Sequence, residues 1–235
     1  MNSEYEIPGC GSAAARKAWI DPAVFAAAKD CLLFLDGELY RDRAKASEII
    51  REAQASGCLP PVGCIYLSCV SAAARHVDYT CNENFARFLA VEMPRWIEHM
   101  VGRFDRLYLC GLSLSGLQAL FTALKYPGVF SGVLAQSPSA WWREERLSAS
   151  IDTAAGQRGR FWLSVGTQEL QTSVSHPPTS LFQGTSQLDS VRRLAAAMAN
   201  IGFDAHSDEY DGGHDPVFWG KELSRALAWL LRTGG

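Results

Sequence analysis

Short apolar runs rich in β-forming residues alternate along this chain with longer stretches of helical periodicity, and that alternation limits the fold more than any other feature. Runs at 31–35, 62–69, 107–110, 129–135, 161–165 and 205–210 read as strands. All but the last are apolar nearly throughout, as strands are when helices cover both faces of a sheet. Helical patterns fall between them at 42–55, 82–100, 115–125 and 188–199, and 217–231 closes the chain. The order predicts an α/β architecture with a mostly parallel central sheet and helices on both faces. With 235 residues, 48% of them hydrophobic and 20% charged, residues 1–235 are expected to form one large domain. The polar segment 172–186, which contains Pro177 and Pro178, has no period and reads as a long surface loop, either a lid or cleft wall or a tolerated insertion.

Several function classes drop out on composition. A net charge of -3 with scattered basic residues lacks the electrostatic footprint of a nucleic-acid binder. No run reaches the roughly 18 apolar residues that cross a bilayer, so no membrane partner is expected. Residues 1–8 carry Glu4 and Glu6 and no apolar run, unlike a secretory leader, which makes cytoplasmic residence the expectation. The seven cysteines (Cys10, Cys31, Cys58, Cys64, Cys69, Cys81 and Cys110) are odd in number and form no CxxC pair. They read as free thiols, several of them buried small hydrophobes, rather than a disulfide framework or a zinc site. Neither metal nor organic cofactor is expected.

Chemistry enters at the end of the strand 106–110. Gly111-Leu112-Ser113-Leu114-Ser115-Gly116 follows it and leads at once into a helical pattern. A nucleophilic serine on so sharp a strand-to-helix turn needs small residues two positions before and after, where strand and helix come close. Gly111 and Ser115 meet that need. The turn also aims Ser113 at a helix N-terminus, where the Leu114 amide is placed to receive an oxyanion. Without further partners, the alternative is an ordinary Gly/Ser-rich connection with no chemistry.

The partners are present in the order serine, carboxylate, histidine. His214 stands on the loop Asp211-Gly-Gly-His214-Asp215 after the last strand, the place for a general base. Glu169 follows the strand 161–165 and is the expected acid, with Asp204, Asp208 and Asp211 as rivals. His76, His99, His176 and His206 lie elsewhere in the pattern. A second oxyanion donor is expected from Gly37 or Glu38, after the buried run 32–35, although an Asp-Gly pair is also a common turn.

Six segments in this order (LLFLDGE, LPP, RHVDYTCNENFARFLAVEMPRW, GLSLSGLQALFTALKYPGVFSGVLAQSPSAWW, VGTQE and GGHDPVFW) resemble the enterochelin (enterobactin) esterase-like branch of the "Putative esterase" (esterase D-like) α/β-hydrolase family, over residues 16–232. The resemblance implies the α/β-hydrolase fold, a Ser113, Glu169, His214 triad, and an oxyanion hole from the Gly37 region and Leu114. It also implies hydrolysis of small-molecule esters in catecholate siderophores, with a ferric siderophore as a possible ligand. Two departures stand out: Ser115-Gly116 replaces the family's Gly-Gly, and Asp78 replaces a glutamate. Arg75 and Asp78 are expected to pair beside the cleft, with Arg75 in contact with the substrate. Trp141, Trp142 and Arg143 are expected to offer aromatic and cationic contacts to a planar acyl group; the bland alternatives are a solvated pair and core packing. Which acceptor reaches the acyl-enzyme (water, an alcohol, an amine or a carrier thiol) is left open by the sequence.

Overall fold

The protein is described here by a computed structural model, which covers residues 3–9, 15–20, 28–151 and 159–232. Eight strands form one sheet: β1 (Ser3–Ile7), β2 (Arg16–Ile20), β3 (Asp30–Phe34), β4 (Val62–Leu67), β5 (Arg106–Leu112), β6 (Gly132–Gln136), β7 (Arg160–Gly166) and β10 (Asp204–Tyr210). Their order is β1-β2-β4-β3-β5-β6-β7-β10. The six from β4 to β10 run parallel, and β1 and β2 add an antiparallel edge. The mostly parallel sheet is the one expected. Strands β3, β4 and β6 are buried at every residue, which explains their unbroken apolar character. Polar β10 is the exposed edge.

Alternate side chains of the strands build two cores. Leu33, Ile65, Leu109, Val133 and Leu163 face α3 (Glu83–Arg87), α4 (Met93–Val101), α5 (Leu114–Lys125) and α7 (Gln187–Asn200). Leu32, Phe34, Tyr66, Leu134 and Trp162 face α1 (Ala46–Ala55) and α8 (Pro216–Leu231). Two further helices, α2 (Ala72–Asp78) and α6 (Trp142–Ala149), stand near the carboxyl ends of the strands.

Four elements differ from the expectation. The helix foreseen over 82–100 is broken into α3, a π-helical turn Phe88–Glu92, and α4. Pro94 is the cause, since it lacks an amide hydrogen and its ring crowds the carbonyl four residues back. The pattern at 42–55 likewise divides into a π-helical turn Leu39–Arg43 and α1, with Lys45 left-handed between them. The segment 172–186 is not structureless: β8 (Val174–Ser175) and β9 (Phe182–Gln183) pair as a short hairpin, and the Ser186 hydroxyl caps α7. The edge hairpin of β1 and β2 was not foreseen. Six cysteines are described as thiols, with Cys31, Cys64 and Cys110 buried as expected and Cys69, also expected inside, half-buried; Cys10 lies outside the described residues. No helix among the described residues is long and apolar enough to cross a membrane.

Candidate active site

Ser113 links β5 to α5 with φ 54° and ψ -122°, a conformation that costs a non-glycine residue energy and persists only where its surroundings enforce it. Those surroundings are visible. A Cβ on Gly111 would lie 2.3 Å from the Ser115 carbonyl oxygen, so only glycine lets strand and helix approach. The Ser113 amide donates to the Gln136 carbonyl at 2.9 Å, and the Ser113 carbonyl accepts from the Ser139 amide at 3.0 Å. Ser115 turns its departure from glycine into a clamp: its hydroxyl accepts from the Leu112 amide at 2.9 Å and donates to the Leu112 carbonyl at 2.8 Å.

His214 stands between Ser113 and Glu169. Its Nε2 is 3.0 Å from Ser113 Oγ, and its Nδ1 is 2.6 Å from Glu169 Oε2. The loops carrying His214 and Glu169 meet because a Cβ on Gly166 would lie 2.3 Å from the Gly212 carbonyl oxygen, and one on Gly212 would lie 2.5 Å from the Phe218 ring. Glu169 Oε1 accepts from the Gly166 amide at 2.8 Å, Ser137 Oγ at 2.6 Å and the Tyr210 hydroxyl at 3.1 Å. Burial alone would raise the Glu169 pKa. The His214 bond and charge, with the Ser137 and Gly166 donors, outweigh it and hold the carboxylate below its ordinary value. The rival carboxylates are engaged elsewhere: Asp208 with Arg225, Asp204 with Arg160, and Asp211 with the Gln168 amide. Among the other histidines, His206 packs against Trp162 and Trp229, and His176 stacks on Trp141. Ser137, Tyr210 and Trp219, whose indole donates to both hydroxyls, were missed by sequence reasoning. The only signal was that two of them end a strand or follow one.

A cavity of about 340 Å³ opens beside Ser113 and His214, walled by Trp141, His176, Gln183 and Gln187. Trp141 therefore reaches the site as expected, yet one face of its ring is already stacked on His176, with centroids 5.3 Å apart and planes 8° from parallel. Its indole nitrogen donates to Gln187 Oε1 at 2.5 Å. Trp142 and Arg143 line a neighbouring groove of about 870 Å³ between α2 and residues 178–182, which Trp141 separates from the first cavity. Arg143 lies 4.7 Å over the Trp142 ring. Residues 143–145 are all left-handed.

The loop expected to supply an oxyanion donor follows β3. Phe34 pairs with Cys110, and the Leu35 amide donates to the Cys110 carbonyl at 2.8 Å, after which the chain bends at 35–36 and turns helical at Gly37 and Glu38. A Cβ on Gly37 would lie 2.8 Å from the Tyr66 backbone. The Glu38 carboxylate is taken up by Ser68 Oγ and the Cys69 amide. Leu114 is the first residue of α5, so its amide has no acceptor four residues back in the helix. The Arg75 pairing departs from the expectation: Arg75 binds Asp36, and Asp78 binds Arg16 at 2.9 Å. The buried Asp36 carboxylate needs a cation, whereas Asp78 ends its helix beside another one.

The family described as "Putative esterase" matches residues 26–230. The chain belongs to that family. It is similar to the iron(III) enterobactin esterase of Dickeya dadantii, with 27% identity over 210 residues, 85% of this chain and 47% of that protein. The iron(III) enterobactin esterase of Escherichia coli K12 is 26% identical over 229 residues, 90% of this chain and 52% of that protein. The chain spans about half the length of these curated relatives. Among solved structures, the enterobactin esterase of Shigella flexneri in the presence of enterobactin has a TM-score of 0.82 and 24% identity, over 98% of this chain and 59% of that one. The likeness is one of fold, and the fold is the α/β-hydrolase fold expected from the sequence.

Beneath the site, this member of the esterase family carries a buried acid. Glu222, on α8, is 4% exposed. Its Oε1 accepts from Gln136 Nε2 at 2.6 Å and Ser164 Oγ at 2.5 Å, and Gln136 Oε1 accepts from the Tyr40 hydroxyl at 2.9 Å. Burial pushes the Glu222 pKa up to about 7 against the pull of Ser164 and Gln136. A glutamate in a C-terminal helix reads as solvated, although position 222 falls four residues before Ala226 on the buried face of α8.

Proposed function

We propose that this chain hydrolyses carboxylic esters through an acyl-enzyme, with Ser113 as nucleophile, His214 as general base and Glu169 as the group that orients His214. The observation that carries the reading is the single imidazole bridging the Ser113 hydroxyl and the Glu169 carboxylate at 3.0 and 2.6 Å. Ser113 Oγ attacks the ester carbonyl carbon as its proton passes to His214 Nε2, and the imidazolium so formed is stabilised through its Nδ1 proton by Glu169. Charge on the carbonyl oxygen is received by the Leu114 amide and by the Gly37 and Glu38 turn. The C–O bond breaks and the leaving alkoxide takes the proton from His214; water deprotonated by the same nitrogen then attacks the acyl carbon, the bond to Ser113 Oγ breaks as Oγ regains the proton, and the carboxylic acid leaves.

The substrate class proposed is an aromatic acyl ester of the catecholate siderophore type. Enterobactin esterases among the relatives support that class, as does a groove beside the site where Arg143 lies over Trp142. The hairpin of β8 and β9 acts as a cleft wall, supplying His176 and Gln183. The test is to compare kcat/KM for a dihydroxybenzoyl-serine ester and an alkyl ester of similar reactivity. The aromatic ester is expected to be favoured, and the Ser113→Ala protein to hydrolyse neither and resist fluorophosphonate labelling. Equal values for the two esters would refute the substrate class, and labelling of Ser113→Ala would refute the nucleophile.

A further inference from the structure

Arg75 is expected from the sequence to contact substrate, but its guanidinium is committed to Asp36. Arg75 Nε lies 2.8 and 3.0 Å from Asp36 Oδ1 and Oδ2, and Nη2 lies 2.7 Å from Oδ2. The Asp36 side chain is 1% exposed. Asp36 is also left-handed, with φ 52°, and it immediately precedes Gly37. Its amide donates to the hydroxyl of buried Tyr79 at 3.2 Å, one turn of chain beyond Arg75. Burial works against the charge on Arg75, and the Asp36 carboxylate more than offsets it, so the guanidinium sits above its ordinary pKa.

The same turn is fixed on its other side. Glu38 is held by the Ser68 hydroxyl and the Cys69 amide, and Arg16 ties the Ser68 carbonyl to Asp78 at the end of α2. A strained aspartate held by a two-pronged cation, next to a glycine pressed on β4, is more restraint than an ordinary Asp-Gly turn needs. Planar guanidinium fixes both oxygens of a carboxylate and hence the orientation of the residue that bears it.

We propose that Arg75 is a positioning residue that, through Asp36, holds the Gly37 and Glu38 amides facing the oxygen on which charge develops during attack by Ser113. The inference rests on the proposed ester hydrolysis. It assigns Arg75 to the stabilisation of the transition state and removes it from substrate binding.

The test uses the full chain and a chromogenic aryl ester. Arg75→Lys keeps the charge without the fork. Asp36→Asn combined with Arg75→Gln removes both charges, so that neither is stranded in the interior. A misplaced oxyanion donor costs on the order of 100-fold in kcat. The double variant should therefore lose about that much, Arg75→Lys on the order of 10-fold, and KM should stay within about threefold in both. Affinity for a boronic acid, which forms a tetrahedral adduct on Ser113, should fall by the same factor as kcat while affinity for the product acid holds. A rise in KM with kcat unchanged would make Arg75 a substrate ligand, and unchanged kcat and KM would make it an idle strut. Loss of the folded state in both variants would make the pair purely structural. Each of these results overturns the proposal. Wild-type protein without ester hydrolysis, or Ser113→Ala with it, would instead overturn the underlying esterase reading, and both are measured before the Arg75 variants.

Discussion

Replacing Glu222 by glutamine should change how the stability of this protein depends on pH, by an amount the structure supplies. A carboxyl group with pKa near 4.5 in the unfolded chain is pushed to about 7 in the fold by burial. The folded state therefore binds the Glu222 proton more tightly. Its stabilising contribution is fully present below pH 4.5 and is lost as pH rises through about 7. The full effect is about 3 kcal/mol, and most of it is traversed between about pH 5 and pH 8. Glutamine keeps an oxygen for Gln136 and Ser164 and does not titrate. Urea unfolding of wild type and Glu222→Gln at pH 5, 6, 7 and 8 isolates the contribution. Other ionisable groups, including the Asp208 and Arg225 pair that acts on Glu222, cancel in the difference. Wild type should lose roughly 2 to 3 kcal/mol relative to the variant across that range. An amide buried where Oε2 has no partner lowers the variant by a constant and leaves the slope intact. A difference that stays flat to within about 0.5 kcal/mol, or one that runs the other way, would show that Glu222 is ionised throughout and that burial is not what governs it.

Three further outcomes test the site. Glu169→Gln should reduce ester hydrolysis by several orders of magnitude but less than Ser113→Ala or His214→Ala, because the carboxylate transfers no proton; a larger loss in Asp208→Asn or Asp211→Asn would point to a different acid. Gly111→Ala places a Cβ 2.3 Å from the Ser115 carbonyl oxygen and should cost roughly 3 kcal/mol in thermal or urea unfolding, with wild-type stability refuting the close approach at the turn. Trp142→Ala should cut the preference for an aromatic over an alkyl acyl ester by up to about tenfold in kcat/KM, the worth of one ring stacking, and an unaltered ratio would remove Trp142 from substrate recognition.

Much of this protein is legible in one dimension because the forces involved are local or periodic. Apolar runs at 31–35 and 161–165 announce strands covered on both faces, since only a sheet between helices buries every residue of a run. The Gly111, Ser113 and Ser115 spacing announces a sharp turn, since only small side chains tolerate the approach of strand and helix. Chain order and placement after strands selected Glu169 and His214, and the structure joins Glu169 to Ser113 through His214. What the sequence could not carry are pairings between distant residues whose cause is burial. Arg75 read as the partner of Asp78, three residues on, but a carboxylate at position 36 enclosed by the fold claims the guanidinium, because an unpaired interior charge costs more than a solvated surface pair returns. Trp142 and Arg143 were grouped with Trp141 by adjacency; all three line the second groove, but of the three it is Trp141 that also lines the cavity at Ser113. Glu222 is a buried acid only because α8 packs against the sheet. The sequence by itself determined the layers, the turn and the chain order of Ser113, Glu169 and His214. Tertiary structure alone decided which charges lie inside, since burial is a property of the packed chain and not of any segment of it.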